Sequence, residues 1–358
     1  MIEILTSGVA LGVHVPGLLL AARLRARAVP VGVSVLERLL PDDKLAVTGR
    51  MKQAFHRDFR LARTGRRVAS QPADAISEAA FDKLFTSWRN RKVEHFVMFS
   101  GFWLPVVIRY RETVDATVRI DLCRVDSADS PSFPGHTPDY VRRIALADAE
   151  TGTLPYSIPV TGQPPMVWAD REPRVLAHGG GWGMGTYRDA VGDLTSAGFA
   201  VDVVAYEAAD VTDDGVRYFM IDPDWHPWLD DGFPPFGRVC PGEPVSYRRG
   251  TDHHGSFDLL STGMASVSKP GGGTLLDSYW SATPAVLLTP FGPHEQWNAD
   301  LWESLGFGIS LDRWRATGFA AGVLESLHNN LLAARGRATD YAALLASLAS
   351  ARDRMHSA

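Results

Sequence analysis

The chain has 358 residues, 45% of them hydrophobic and 22% charged, with a formal net charge of −5. That length exceeds what one hydrophobic core ordinarily fills, so two domains are expected. Mild acidity, without a basic run carrying interleaved aromatics, argues against a nucleic-acid partner, and only two cysteines, Cys123 and Cys240, argue against a disulfide framework and for a reducing cytoplasm.

In chain order, IEIL (2–5) reads as a buried strand, SGVALGVHVPG (7–17) as a glycine-rich loop and LLLAARLRARA (18–28) as a helix. Residues 4–22 carry no formal charge, long enough on paper to span a bilayer. Gly8, Gly12, His14, Pro16 and Gly17 interrupt the run, and Glu3 precedes it while arginines come after, the reverse of a secretory signal. No membrane segment is expected. VPVGVSV (29–35), HFVMF (95–99) and TVRIDL (117–122) are further strands, and the Arg-rich residues 42–67 read as a helix with a solvated face. YSIPVTGQPPMVWADREP (156–173), rich in proline, reads as a linker with one short strand. After it, RVLAHGGGWGMGTYRDAVGDLTSAGFAVDVVAY repeats the grammar of residues 1–35: strand, glycine loop, helix, strand. The last segment, YAALLASLASARDRM, is a helix with an apolar face. This alternation predicts an α/β protein built on parallel sheets.

Three glycine loops come directly after strands: residues 7–17, HGGGWGMGTY (178–187) and KPGGGT (269–274). At a strand's carboxyl end, glycines let backbone N–H groups converge, and the next helix adds its positive end. The result is an anion site that needs no lysine. None matches the GxxxxGK[ST] phosphate loop, so an ATPase is not expected. Two such loops in the second half suggest one phosphate-bearing ligand gripped from two sides. Glu295 and Gln296 come after the buried-looking strand PAVLLTP, where a carboxylate beside an amide suits sugar hydroxyls or, equally, caps a helix. Asp222 and Asp224 spell D-x-D, a pattern that can hold a divalent metal, but here it lies in the proline- and tryptophan-rich loop IDPDWHPW. Asp252, His253 and His254 lie together without a second ligand pair at suitable spacing and read as exposed loop, and no metal is expected.

GGGWGMGT, VSKPGGGTLLD, the PAVLLTP strand and HEQWNA, in this order, resemble the donor half of GT-B glycosyltransferases. The likeness is above all to the bacterial GlcNAc transferase that makes lipid II, and beyond it to the natural-product UDP-glycosyltransferases. It covers residues 174–308 well; in the first half it rests on the N-terminal loop and on FSGFWLP (99–105), similar to the family's acceptor-side loop. The resemblance implies two Rossmann-like βαβ domains facing across a cleft. These would be an acceptor-side domain (1–160), a nucleotide-sugar donor domain (161–335) and a C-terminal helix (336–358) returning to the first. It assigns donor binding to Gly180, Gly181, Gly183, Thr186, Ser268, Gly271, Gly272, Gly273, Thr274, Asp277, Glu295, Gln296 and Asn298, and the acceptor side to Gly12, Gly101, Phe102 and Trp103. Asp277 stands where the family has Glu for the ribose hydroxyls. The family's base, a histidine in the N-terminal loop, falls on Val13, with His14 one residue later; His14, Asp121 and Asp126 are the candidate catalytic groups.

The likeness implies a cytoplasmic bacterial hexosyltransferase of antibiotic-biosynthesis type. Such an enzyme would move a sugar from a nucleoside diphosphate, UDP-sugar by preference, to a small-molecule acceptor, with inversion and without metal or other cofactor. A nucleotide-sugar epimerase or hydrolase, or a catalytically inactive nucleotide-sugar binder, would share the fold. Absence of acidic residues in residues 7–17 counts against the first, and Val13 in the histidine position favours the second.

Overall fold

The computed structural model describes residues 1–65, 72–114, 117–133 and 135–356. Five strands, β1 Ile2–Thr6, β2 Val31–Val35, β3 His95–Met98, β4 Arg119–Arg124 and β5 Val141–Ala145, form an all-parallel sheet in the order β2-β1-β3-β4-β5. β1 is buried at all five positions, which is why its sequence is a near-continuous apolar run and not an alternating one. Its flanking helices are α1 Leu11–Arg25, α2 Asp42–Arg57, α3 Phe59–Gly65, α4 Glu78–Asn90 and α5 Leu104–Glu112. β6 Tyr156–Ser157 lies in the segment read as a linker.

The second sheet has seven strands: β7 Glu172–His178, β8 Ala200–Ala205, β9 Arg217–Ile221, β10 Phe236–Val239, β11 Gly263–Ser268, β12 Ala285–Leu287 and β13 Gly308–Ser310. Their order is β10-β9-β8-β7-β11-β12-β13, antiparallel only at the β10–β9 edge. Around it run α6 Val191–Ser196, α7 Gly255–Thr262, α8 Gly272–Ser281, α9 Pro293–Ser304, α10 Leu311–Ala316 and α11 Ala321–Ala334. The chain then crosses back. β14 Thr339–Asp340 pairs with β6, and α12 Tyr341–His356 lies against α1, with Tyr341, Ala342 and Leu345 buried in the same core as Leu19, Leu20 and Val97.

Two expectations need correction. Residues 7–17 are not all loop: α1 starts at Leu11, so His14, Pro16 and Gly17 are helical. Gly17 is small because the helix touches β1 there; a Cβ would lie 2.4 Å from Thr6 Cγ2. Burial of Leu18, Leu19, Leu20 and Leu24 outweighs the breaker signal of the glycines and proline. Nor is the Arg-rich segment a free-standing solvated helix. α2 and α3 divide it at Asp58, and α2 packs on the glycine loop after β7; residues 66–67 lie outside the described residues. No described helix is long and apolar enough to cross a membrane.

Candidate active site

In each sheet the chain runs outward in both directions from one pair of neighbours, β1 and β3 in the first and β7 and β11 in the second. Loops leaving such a pair diverge and open a crevice at the carboxyl edge, where ligands of open α/β sheets bind. The loops singled out from the sequence leave from these four strands, and the two crevices face each other. The Trp182 indole N–H donates to the Val9 carbonyl. A Cβ on Gly181 would sit 2.6 Å from Leu11 Cγ, one on Gly273 3.2 Å from Gly12 Cα, and one on Gly8 2.6 Å from Pro227 Cβ.

On the β11 side, Ser268 is buried at the strand end and Gly271–Gly273 lead into the first turn of α8, which also holds Thr274. Glu295 is 3% exposed and already engaged: it accepts from Lys269 Nζ at 2.5 Å and from the Phe291 amide at 2.7 Å. Asp277 accepts from His254 Nε2 at 3.2 Å, with His254 Nδ1 on Ser256 Oγ. His254, read from sequence as part of an exposed loop, is therefore buried against the predicted ribose carboxylate. Gln296 donates to Asp300 at 2.8 Å, and with Thr186 it lines a cavity of about 420 Å³ beyond β12 and β13. Asn298, 1% exposed, reaches the other sheet: its Nδ2 donates to Asp126 Oδ1 and its Oδ1 accepts from the Ser127 amide.

His14 projects from the first turn and a half of α1 and is fully buried. Its Nδ1 pairs with Thr6 Oγ1 at 2.9 Å, while Nε2 has no partner. The Trp225 ring, brought by the turn after β9, lies 6.2 Å away, and its Nε1 is also unpartnered. With Nδ1 donating to Thr6, Nε2 keeps a lone pair, the arrangement a general base needs. Burial first, then Arg38 and Lys52, against the opposing pull of Asp231, holds the His14 pKa down at about 3. The ring is thus neutral in the fold, whereas the unfolded chain takes up a proton near pH 6.5. Stability should fall as pH drops from 6.5 towards 3, with a share from His14 of about 1.4 kcal/mol per pH unit. His14→Gln should remove that share, measured as the difference in urea-unfolding free energy between pH 7 and pH 5.

The loop after β1 also holds an internal anion. Glu37, 2% exposed, accepts from Ser7 Oγ at 2.6 Å and from the amides of Gly8 and Val9 at 2.6 and 3.2 Å. That loop is filled by its own sheet and is no phosphate site. Nearby, Lys52 Nζ lies 5.7 Å from the Trp182 ring and 5.5 Å from that of Trp228. Burial, opposed by Glu37, lowers the Lys52 pKa to about 8.

The glycine loop after β7 is clamped by α2. His56 Nδ1 pairs with the Gly183 carbonyl at 2.8 Å and Nε2 with Asp210 Oδ1 at 3.1 Å. Phe55 stacks on Trp182 at 5.7 Å. Gly180 N–H donates to His178 Nδ1, and both Gly180 and Gly183 have positive φ, +67° and +58°, where only glycine is unstrained.

Two predicted site residues do not face the crevice. Asp121 lies inside β4, 2% exposed, and accepts from His95 Nε2, from Arg142 and from Tyr341 Oη. Its place is in the join between β4 and α12. Trp103 is fully buried with its indole N–H on the Thr6 carbonyl, a core residue under the loop. Gly101 and Phe102, by contrast, line a groove of about 610 Å³ together with Pro105, Ile108 and Phe133. Asp126 is at the crevice but turned to the opposite sheet, on Gly272 and Asn298. Asp222 caps its own turn through the Asp224 amide. His253 bridges Asp252 and Asp258, and no group of three or more His, Cys, Asp or Glu side chains among the described residues is arranged to hold a metal ion.

Sequence reasoning missed Glu37, His56, Trp182 and Trp225. Each makes its contact with a residue far along the chain or with a loop whose path the sequence does not spell out.

Two mainly parallel α/β sheets with facing carboxyl edges, and a last helix returning to the first sheet, constitute the GT-B fold. The chain is similar over nearly its whole length to solved glycosyltransferases of that fold. The glycosyltransferase VinC in complex with DTDP matches at 12% identity, 99% of each chain and a TM-score of 0.55. MurG of Acinetobacter baumannii matches at 12% identity, 98% of this chain and 99% of that one, TM-score 0.53. The Streptomyces sp. SF2575 glycosyltransferase SsfS6 complexed with thymidine diphosphate matches at 13% identity, 97% and 98%, TM-score 0.52. No family model and no curated protein matches the sequence.

Proposed function

We propose that the protein is a cytoplasmic glycosyltransferase that moves a sugar from a nucleoside diphosphate to a hydroxyl of a small, largely apolar acceptor. We take residues 1–160 as the acceptor-side domain, 161–335 as the donor domain and 336–358 as the returning helix. The observation that carries the reading is that two glycine loops leave the adjacent strands β7 and β11 and meet the first turn of α1, Gly181 at Leu11 and Gly273 at Gly12, the turn that carries His14 with its unpartnered ring nitrogen. Sugar transfer passes through an oxocarbenium-like state while negative charge builds on the departing diphosphate. The first-turn amides of α8 are the groups of this chain that would meet that charge, and we read the reaction as metal-free on that basis. His14 Nε2 would take the proton of the acceptor hydroxyl as its oxygen bonds to the sugar's anomeric carbon and the bond to the diphosphate breaks, which inverts that centre. The groove beside Gly101 and Phe102 offers apolar surface for the acceptor.

A binder without turnover is the second reading. It is favoured by one observation: the partner of His14 Nδ1 is the Thr6 hydroxyl and not a carboxylate that would stabilise an imidazolium. Calorimetric titration in EDTA with UDP, dTDP and their glucose conjugates tests the site, and Glu295→Gln tests its sugar end. We expect binding to persist in EDTA. Glu295→Gln should weaken the conjugate about tenfold, roughly the worth of one hydrogen bond to a charged group, and the bare diphosphate hardly at all. Equal losses for both ligands would remove Glu295 from the sugar site. A donor complex that turns over no acceptor in a hydroxylated aromatic panel, with His14→Gln identical to wild type, would establish the second reading.

A further inference from the structure

Two of the three glycine loops at the facing crevices, those after β1 and β11, already hold a carboxylate, and the two carboxylates differ in origin. Glu37 belongs to the same sheet as the loop it fills, is almost wholly buried and arrives with the fold. Asp126 comes from the opposite sheet, two residues past the end of β4, and is only half-buried. Its Oδ1 accepts from the Gly272 amide, the first residue of α8, at 3.0 Å and from Asn298 Nδ2 at 2.8 Å. Asn298 completes the contact by accepting from the Ser127 amide at 2.6 Å, and its Nδ2 also donates to the Pro270 carbonyl. The fit depends on residue 272 having no side chain. A Cβ there would lie 2.8 Å from Asp126 Oδ1 and 3.0 Å from Asp126 N. Gly12 covers the next residue of the same turn.

We propose that Asp126 is an internal stand-in for the donor's phosphate, an autoinhibitory latch that holds the ligand-free protein shut across its donor site. The latch rests on the reading of the β7 and β11 loops as the donor site. One amide cannot serve a carboxylate and a phosphate oxygen at once, and two anions so close repel. The donor therefore enters only when the two sheets separate at this contact, so the first effect of donor binding is opening. Because the ligand-competent form is a minor fraction of the ligand-free protein, the apparent affinity is reduced by that fraction. Water and stray phosphates are kept off the α8 amides until a nucleotide of sufficient affinity displaces the carboxylate.

The test compares wild type, Asp126→Ala and Asp126→Asn by calorimetry with UDP and dTDP, and by small-angle scattering without ligand. Asp126→Ala should tighten whichever diphosphate binds by about tenfold and enlarge the ligand-free radius of gyration. Asp126→Asn, nearly isosteric, keeps the contact but loses the charge and should show a smaller gain in affinity. Unchanged affinity with an unchanged radius overturns the latch and leaves the donor reading standing. If neither diphosphate binds any of the three proteins, the donor reading falls, and the latch with it as an autoinhibitory device. A larger radius in Asp126→Ala would then mark Asp126 as a clasp between sheets and nothing more.

Discussion

Asp121→Ala is expected to lower the unfolding free energy by about 3–4 kcal/mol, as removal of one partner from a buried ionic cluster does, and to leave diphosphate binding unchanged. The carboxylate accepts from His95 Nε2 at 2.9 Å, from Arg142 Nε and Nη2 at 2.8 and 2.6 Å and from Tyr341 Oη at 2.5 Å. Without it, a fully buried phenol and a buried imidazole lose their acceptor, and α12 loses its polar tie to β4. Burial alone would raise the Asp121 pKa, but the hydrogen bonds from His95 and Arg142 outweigh it and hold the group at about 2. The stabilisation is therefore present above the unfolded carboxylate's pKa near 3.8 and is lost as pH falls from there through 2. Asp121→Asn should lack that acid-dependent loss while keeping part of the neutral-pH stability. Urea unfolding at pH 7 and pH 3, beside a dTDP titration, measures all of this. Wild-type stability with abolished sugar transfer would make Asp121 a catalytic candidate again.

That reassignment marks where the sequence stops being legible. The buried strands IEIL and HFVMF, the repeated strand–glycine loop–helix grammar and the VSKPGGGTLLD turn all announce themselves, because parallel strands are apolar throughout and a strand-to-helix turn needs glycine. Their meeting at two facing crevices depends on strand order, which the resemblance supplied and the spacing of residues did not. Asp121 looked like a base because an acid after an apolar run at a strand's carboxyl end often is one. The strand read at 117–122 already contained it; what the sequence could not show is that its carboxylate is taken up by His95, Arg142 and Tyr341 from three other elements. The start of α1 was misplaced for a similar reason: glycine and proline signal a loop locally, while Gly17 is dictated by contact with Thr6 on another element. His56 was unreadable because its partners, Gly183 and Asp210, lie more than a hundred residues further along the chain. Charge complementarity at that distance leaves no trace in periodicity.

Gly179 and Gly180 separate two reasons for glycine in adjacent positions. Gly180 has φ of +67° and open space where a Cβ would go; Gly179 has an ordinary φ of −99°, but a Cβ there would lie 2.3 Å from the Gly183 carbonyl carbon and 2.5 Å from the Met184 nitrogen. The loop folds back on itself through hydrogen bonds from Gly183 N to Gly180 O and from Met184 N to Gly179 O, and neither of these backbone segments can move as a side chain would. Gly180→Ala should therefore cost about 1–2 kcal/mol, the handedness penalty alone, with the loop left in place. Gly179→Ala should cost about 3 kcal/mol, the upper end for overpacking, and force the turn open. Opening it shifts Trp182 off Val9 and Gly183 off His56, the contacts through which the first sheet holds this glycine loop. Diphosphate affinity should fall with Gly179→Ala by much more than with Gly180→Ala, read by dTDP titration next to urea unfolding of both variants. If Gly180→Ala proved the more damaging in both measurements, the loop would be shaped by backbone handedness and not by close approach, and the clamp built on His56 would lose its footing.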